Sequence, residues 1–130
     1  MKLENTIIEM VLNAEAKALA TCDSDELNVV PVSTVKIIDD KIILVNYFMG
    51  KTLKNIQNNS KVALACWSGL SGCQIKASAE HQTEGKLFDD IKSWVAEILP
   101  SRIVKGIIIL NPDEVYDISA SSERAGNKIS

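Results

Sequence analysis

The period of the apolar positions changes along the chain, and this change separates helices from strands. Apolar residues recur at helical spacing from Leu3 to Ala14, which predicts a first helix that ends near residues 13–15. A second stripe at helical spacing runs from Phe88 to Ile98 and stops at Pro100, which predicts another helix. The segment from Thr52 to Asn58 predicts a short helix between them.

The other apolar runs are short, Leu27–Ile38 is rich in β-branched residues and Gln74–Glu84 alternates. These features predict strands over Lys17–Cys22, Leu27–Ile38, Lys41–Asn46, Lys61–Ser68, Gln74–Glu84, Ile103–Leu110 and Val115–Ile118. Pro31 cannot donate to a sheet ladder, so its strand should lie at an edge, or be bulged or bent there. Asp39-Asp40 predicts a tight hairpin, and Asn111-Pro112-Asp113 predicts a turn. Because the links are short, we expect a mainly β fold with flanking helices, in which an antiparallel sheet closes into a barrel.

Length and charge narrow the class of protein. A chain of 130 residues suits a single domain, and its polar end, Ser119–Ser130, is expected to be a flexible tail. The net charge of −3 argues against a general nucleic-acid binder. No apolar run is long enough to cross a membrane, and acidic residues such as Glu4 and Glu9 rule out a signal peptide at the start.

The cysteines point to a reducing compartment. Cys22, Cys66 and Cys73 are odd in number and lack the CxxC spacing. This pattern argues against a disulfide framework or a zinc site, and it favours buried or idle thiols in the cytoplasm.

The segment from Tyr47 to Lys61 carries the most informative chemistry. It holds several lysines and no acidic residue, within a chain that is acidic overall. Lys51 and Thr52 fall where a helix should begin, and free amides and the helix dipole favour an anion there. Gly50 would let the backbone approach a ligand closely. The spacing alone leaves two readings open: a phosphate cradle, or an ordinary N-cap at Thr52 beside a solvated lysine face.

Other catalytic or cofactor sites have less support. His81 is the only histidine, so a Ser-His-Asp mechanism, a Cys-His mechanism or haem ligation by histidine would all depend on it. It lies in a predicted strand between Glu80 and Glu84, which favours a surface position. Trp94 lies on the apolar helical stripe, which favours core packing, whereas Trp67 could face either environment.

Several segments in order resemble the pyridoxamine-phosphate-oxidase-like family, the FMN-binding split barrels. The resemblance is carried by Asn28–Ser33, Asn46–Ile56, Lys61–Leu64 and Gln74–Gly85. It extends over roughly Ala16 to Ile118, and the Gly-Lys-Thr run followed by Asn-Ile is its most specific part.

The resemblance implies an antiparallel split barrel that forms a homodimer, with one FMN in each of two interface clefts. It implies that Lys51 and Thr52 bind the FMN phosphate. The residues that would line the isoalloxazine and ribityl region, largely through backbone groups, are Val30, Pro31, Val32 and Ser33. Val45 and Asn46 would lie beneath the flavin, and Gln74 would reach it from a barrel strand.

The chain also departs from true pyridoxamine-phosphate oxidases. The apolar Val30 replaces the arginine expected near the start of the second strand, and the C-terminal segment that carries substrate-phosphate contacts is missing. The resemblance therefore implies a shorter FMN-binding relative. It leaves open an FMN-dependent oxidoreductase for a nicotinamide or small-molecule substrate, a flavin-binding or electron-carrier protein, and a barrel that has lost its cofactor.

Overall fold

The computed structural model describes residues 1–130 and contains three helices and seven strands. The helices are α1 (Asn5–Asn13), α2 (Gly50–Asn58) and α3 (Lys86–Ile98). The strands are β1 (Ala16–Asp23), β2 (Glu26–Pro31), β3 (Val35–Ile38), β4 (Lys41–Asn46), β5 (Lys61–Ser68), β6 (Ser71–Gln82) and β7 (Gly106–Asp117). All three predicted helices are confirmed, although α2 begins two residues earlier than predicted.

The strands form one antiparallel sheet in the order β2-β1-β5-β6-β7-β4-β3. The short connection between β2 and β3 links the two edges of this sheet. Val32 donates its amide to the carbonyl of Lys17 in β1 over 3.0 Å, and Val45 in β4 donates to the carbonyl of Thr34 over 3.3 Å. These bonds extend the β1–β2 and β3–β4 pairings into the connection, so the chain itself joins the two edges in the closed arrangement expected of a split barrel.

The prediction of one strand over Leu27–Ile38 was wrong. The structure divides it into β2 and β3, which lie at opposite ends of the sheet order. The expected edge position and break near Pro31 are confirmed, because β2 ends at this residue and pairs only with β1. A proline at the end of an edge strand leaves no ladder bond unmade.

Strands β4 and β7 are buried on both faces, which explains their uninterrupted apolar runs. Leu44 and Ile108 point into the barrel, in the core that also holds the buried face of α1. Val45 and Ile107 point the other way, into a second core against Ile91 and the rest of the apolar stripe of α3. The expected packing of the α3 stripe is confirmed, and partly buried Trp94 packs against this second core.

Two turn predictions had different outcomes. Asp39 and Asp40 both adopt positive φ angles of 50° and 62°, the conformation of a tight hairpin turn, and they join β3 to β4. The turn predicted at Asn111-Pro112-Asp113 was wrong, because β7 continues through it. The register opposite Lys76 and Ala77 skips Asp113, which is a β-bulge, and a bulge accommodates proline in a strand.

The outer face of β2, β1 and β5 is largely apolar and no helix covers it, whereas β6 adds polar residues such as Gln74 and Lys76 to this face. Small residues form much of the β1 and β5 part of this face, as in the cross-strand pair of Ala18 and Ala65, and Gln74 of β6 continues that row. Leu27 and Val29, at the β2 edge of the same face, are 78% and 67% exposed. An apolar face of this kind is typical of a surface that contacts another protein.

The polar end of the chain folds back against β7. Ile129 donates its amide to the carbonyl of Val115, and Asp117 donates to the carbonyl of Asn127. These bonds supply partners to the part of β7 that extends beyond β4.

The three helices are too short to span a lipid bilayer.

Candidate functional site

A cleft of about 420 Å³ opens where the β2–β3 connection meets the end of β4. Its lining is mostly apolar and consists of Val30, Pro31, Val32, Ser33, Val45, Tyr47, Phe48, Met49 and Arg102. The volume lies within the usual range for small-molecule sites. Five residues predicted from the resemblance, Val30 to Ser33 and Val45, therefore come together in one cavity.

The floor of this cleft is held by a buried hydrogen bond. The hydroxyl groups of Thr34 and Tyr47 lie 3.0 Å apart, and both residues are almost fully buried. The bond fixes the ring of Tyr47. The Arg102 guanidinium lies over that ring, with its Cζ 5.0 Å from the ring centroid. Arg102 is the only charged residue in the lining. It comes from the loop between α3 and β7, far from the other lining residues in sequence.

Asn46 controls the turn that leads from the cleft to α2. It is 3% exposed and does not line the cavity. Its side-chain Oδ1 accepts the amide of Met49 over 2.8 Å, and its carbonyl accepts the amide of Lys105 over 3.0 Å. The predicted site residue Asn46 therefore positions the turn before α2 and the loop between α3 and β7.

Helix α2 begins directly beside the cleft, since Met49 both lines the cavity and precedes the helix. The first turn contains no acidic residue, and no side chain caps it. The first amides of a helix have no intrahelical partner, so they can bind an anion. A Cβ on Gly50 would meet nothing within 4 Å, so the space beside Gly50 is open.

Lys51 lies at this helix start but already has a counter-ion. Its Nζ is 3.4 Å from the carboxylate of Glu26, the first residue of β2, and both side chains are substantially exposed. Exposed ion pairs contribute little stability, so this one can open at small cost. Glu26 therefore competes with any anionic ligand for the charge of Lys51.

Thr52 lies inside the protein. It is fully buried, and its Oγ1 accepts a hydrogen bond from the side-chain Nδ2 of Asn28 in β2 over 3.0 Å. The reading of Thr52 as an N-cap was wrong, because the N-cap position belongs to Met49. Thr52 instead ties α2 to the β1–β2 hairpin.

Further along α2, the same face makes more polar contacts with this hairpin. The buried amide of Asn55 donates to Thr21 Oγ1 over 3.1 Å and approaches the carbonyl of Glu26 at 3.5 Å. Asn58 donates to the carboxylate of Asp23 over 2.9 Å. The hairpin and the helix therefore form one unit around Lys51.

Gln74 is the predicted site residue that the structure places away from the cleft. It lies on the outer face of β6, opposite Ala65 in β5 and Tyr116 in β7. It is half-buried and makes no contribution to the lining of the cavity within one chain.

The expectation that His81 lies at the surface holds only in part, because the residue is half-buried. Its ring packs against Gly106, and its Nε2 is buried with no hydrogen-bond partner. Burial lowers the pKa of His81 from its ordinary value of 6.5. A neutral imidazole suits this apolar setting.

The expectation of buried thiols is confirmed for Cys66 and Cys73, which lie opposite each other in β5 and β6. Burial raises the pKa of Cys66 to about 12 and that of Cys73 to about 11. Neither thiol is activated as a nucleophile. No cluster of three or more possible metal ligands is present.

The structure adds site residues that the sequence did not single out. Tyr47 and Phe48 follow β4 directly and extend the cleft to Met49, beside the predicted phosphate cradle. Arg102 had no sequence signal beyond its charge, because only the folded loop brings it to the cavity. Glu26 and Asn28 were likewise missed, since their partners are more than twenty positions away.

The architecture is that of a split β-barrel with a cleft at the junction of its two edges. The family model for pyridoxamine 5'-phosphate oxidase matches residues 3–119, and the chain therefore belongs to that family. Among curated proteins, an uncharacterized protein of Methanocaldococcus jannaschii is 28% identical over 132 residues, which covers 95% of this chain and 85% of the relative.

Solved structures share the fold. HupZ of Group A Streptococcus has a TM-score of 0.82 at 22% identity, covering 97% of this chain and 99% of that one. An FMN-binding protein of Syntrophomonas wolfei has a TM-score of 0.78 at 19% identity, covering 88% of this chain and 85% of that one. The heme storage protein HutZ of Vibrio cholerae has a TM-score of 0.68 at 16% identity, covering 89% and 94% respectively. At these identities the likeness shows the fold alone.

Proposed function

We propose that this protein binds FMN, with the flavin ring in the cleft and the phosphate at the start of α2. The observation that carries the proposal is the arrangement of a largely apolar cleft directly beside an acid-free helix start with Lys51. FMN combines a flat, largely apolar ring system with a terminal phosphate, so it requires these two features side by side.

The cleft fits the ring system by its chemistry. Its floor and walls are formed by Val30, Val32, Val45 and the fixed ring of Tyr47, which offer apolar contact area. The backbone of the β2–β3 connection is irregular next to Ser33, so peptide groups there are available for the polar edge of a flavin. Small-molecule sites commonly combine apolar walls with a few polar groups in this way.

The phosphate would be held by Lys51 together with the first amides of α2. Thr52 supports this position from the inside through its bond to Asn28. A direct contact between the Thr52 hydroxyl and the phosphate requires α2 to shift at its start, because Thr52 is fully buried.

The uncovered outer face supports the proposal of a homodimer with FMN at the interface. Leu27 and Val29 leave apolar side chains exposed at the β2 edge, in the same strand whose end lines the cleft. Gln74 belongs to the same outer face. Its contact with flavin would therefore be made across the dimer, to the cleft of the second protomer.

The leading functional reading is an FMN-dependent oxidoreductase that passes electrons between a nicotinamide or small-molecule substrate and FMN. FMN, when bound, supplies hydride and electron transfer, and the protein supplies orientation and electrostatics. The lining of the cleft is consistent with chemistry supplied by FMN alone, because it contains no histidine or carboxylate that could act as acid or base. The alternative reading is a flavin-binding or electron-carrier protein without a substrate.

Haem is a second cofactor to consider, since one neighbour in fold is a heme storage protein. Two observations favour flavin in this chain. The Nε2 of His81, the only histidine, is packed against Gly106 and does not face the cleft. The buried thiols have raised pKa values, which disfavours the thiolate that would ligate iron.

The absorption spectrum of the purified protein with and without added FMN tests the proposal. Bound FMN should give a visible flavin spectrum that stays with the protein through gel filtration. A protein that remains colourless after incubation with FMN would contradict it. Stopped-flow reduction by NADH or NADPH then separates the two readings, because a carrier should be reduced no faster than free FMN.

A further inference from the structure

We propose that Glu26 is an internal competitor for the phosphate site, which lowers the affinity for FMN by holding Lys51 when the ligand is absent. This inference rests on the proposed function and adds a residue that sets how strongly the phosphate is bound. It identifies Glu26 as a residue that weakens binding, in contrast to the lysine that it contacts.

The ion pair between Glu26 and Lys51 is the first observation. The carboxylate lies 3.4 Å from Nζ, at the first turn of α2, a helix that itself contains no acidic residue. A phosphate at this turn would bring negative charge to the same lysine. Because like charges repel at short distance, both anions cannot occupy it at full strength.

The position of Glu26 is fixed by its backbone. It begins β2 opposite Asp23, and its backbone carbonyl lies 3.5 Å from the side-chain Nδ2 of Asn55 in α2. Two residues later Asn28 is bonded to Thr52. These contacts keep the Glu26 carboxylate within reach of Lys51, so it is a built-in counter-ion with a high local concentration.

The exposure of the pair makes the competition reversible. The side chains of Lys51 and Glu26 are 46% and 64% exposed, so the carboxylate can turn into water when a phosphate arrives. The loss of an exposed pair costs little, which predicts a modest but measurable lowering of FMN affinity. Riboflavin has no phosphate, so it leaves the pair intact.

Glu26→Gln in the full chain tests this inference, with FMN and riboflavin titrated by flavin fluorescence. The variant should bind FMN about 1.5- to 5-fold more tightly, the range expected from losing an exposed ion pair, and riboflavin should be unchanged. Asp25→Asn is the matched control, because Asp25 neighbours Glu26, carries the same charge and makes no ion pair. The control should change FMN affinity less than Glu26→Gln does.

The double variant Glu26→Gln/Lys51→Ala identifies the mechanism. If Glu26 acts by occupying Lys51, the gain from Glu26→Gln should disappear when Lys51 is absent. A gain of equal size in both backgrounds would indicate simple charge repulsion and would overturn the inference. Unchanged or weaker FMN binding in Glu26→Gln would also overturn it. If wild type does not prefer FMN to riboflavin, the proposed phosphate site itself fails, and that result is distinct because it needs no variant.

Discussion

The imidazole of His81 occupies the space in which a side chain at position 106 would lie. A Cβ built on Gly106 would overlap Nε2 of His81, so a larger residue at position 106 requires the His81 ring to move. This contact lies at the barrel end where Gly106 pairs with Asn46, which positions the loops of the cleft. The packing of an otherwise unused histidine therefore contributes to the geometry of the site.

Gly106→Ala should destabilise the protein by about 1–3 kcal/mol, because the added methyl group must displace a packed ring. Thermal or urea unfolding measures this change. In the background of His81→Ala the same substitution should cost clearly less, since the overlapping ring is gone. Equal costs in both backgrounds would show that the strain has another source.

His81 should also make stability depend on pH. Burial lowers its pKa in the folded state below 6.5, so the unfolded chain binds a proton that the folded protein does not. Stability should therefore fall as the pH drops from about 6.5 towards the lowered folded pKa. Unfolding at pH 7 and pH 5 should show a smaller loss in His81→Gln than in wild type, and an identical loss in both would contradict this explanation.

Arg102→Ala should lower the reduction potential of bound FMN. The guanidinium is the only charge that lines the cleft, and a cation favours the added electron density of a reduced ring. A tenfold change in the reduction equilibrium corresponds to about 30 mV for a two-electron couple. Lys92→Ala is a suitable control, because Lys92 lies over the Phe88 ring on α3 and does not line the cleft. Equal reduction potentials in Arg102→Ala and wild type would show that Arg102 does not raise the potential of bound FMN.

Val29→Glu should convert the proposed dimer to monomer. Val29 is 67% exposed on the outer face, and a charge buried there without a partner would oppose association. Leu70→Glu is the control, since Leu70 is 79% exposed but lies in the turn between β5 and β6. Sedimentation equilibrium should show a dimer for wild type and Leu70→Glu only. A wild type that is already monomeric would refute the dimer directly.

Much of the fold follows from local patterns in the sequence. The stripe of α3, the Asp39-Asp40 hairpin and the paired runs of β5 and β6 were predictable, because each depends on neighbouring residues. The two errors in the strands both involve proline. Pro31 ends a strand, whereas Pro112 lies within a strand that continues through a bulge. Only the pairing partners decide between these outcomes.

The candidate site was predictable only in part. The resemblance identified the β2–β3 connection, Val45 and Lys51, because these residues lie within continuous segments. The buried state of Thr52, the counter-ion of Lys51 and the approach of Arg102 depend on contacts between distant segments. No local pattern carries that information.

The affinity of Lys51→Ala for FMN and for riboflavin tests the central claim most directly. Removal of the lysine should weaken FMN binding by about 1.5–3 kcal/mol, the usual contribution of a charged hydrogen bond. That corresponds to about 10- to 150-fold in Kd, with the affinity for riboflavin almost unchanged. An FMN affinity equal to that of wild type would show that the phosphate does not bind at the start of α2.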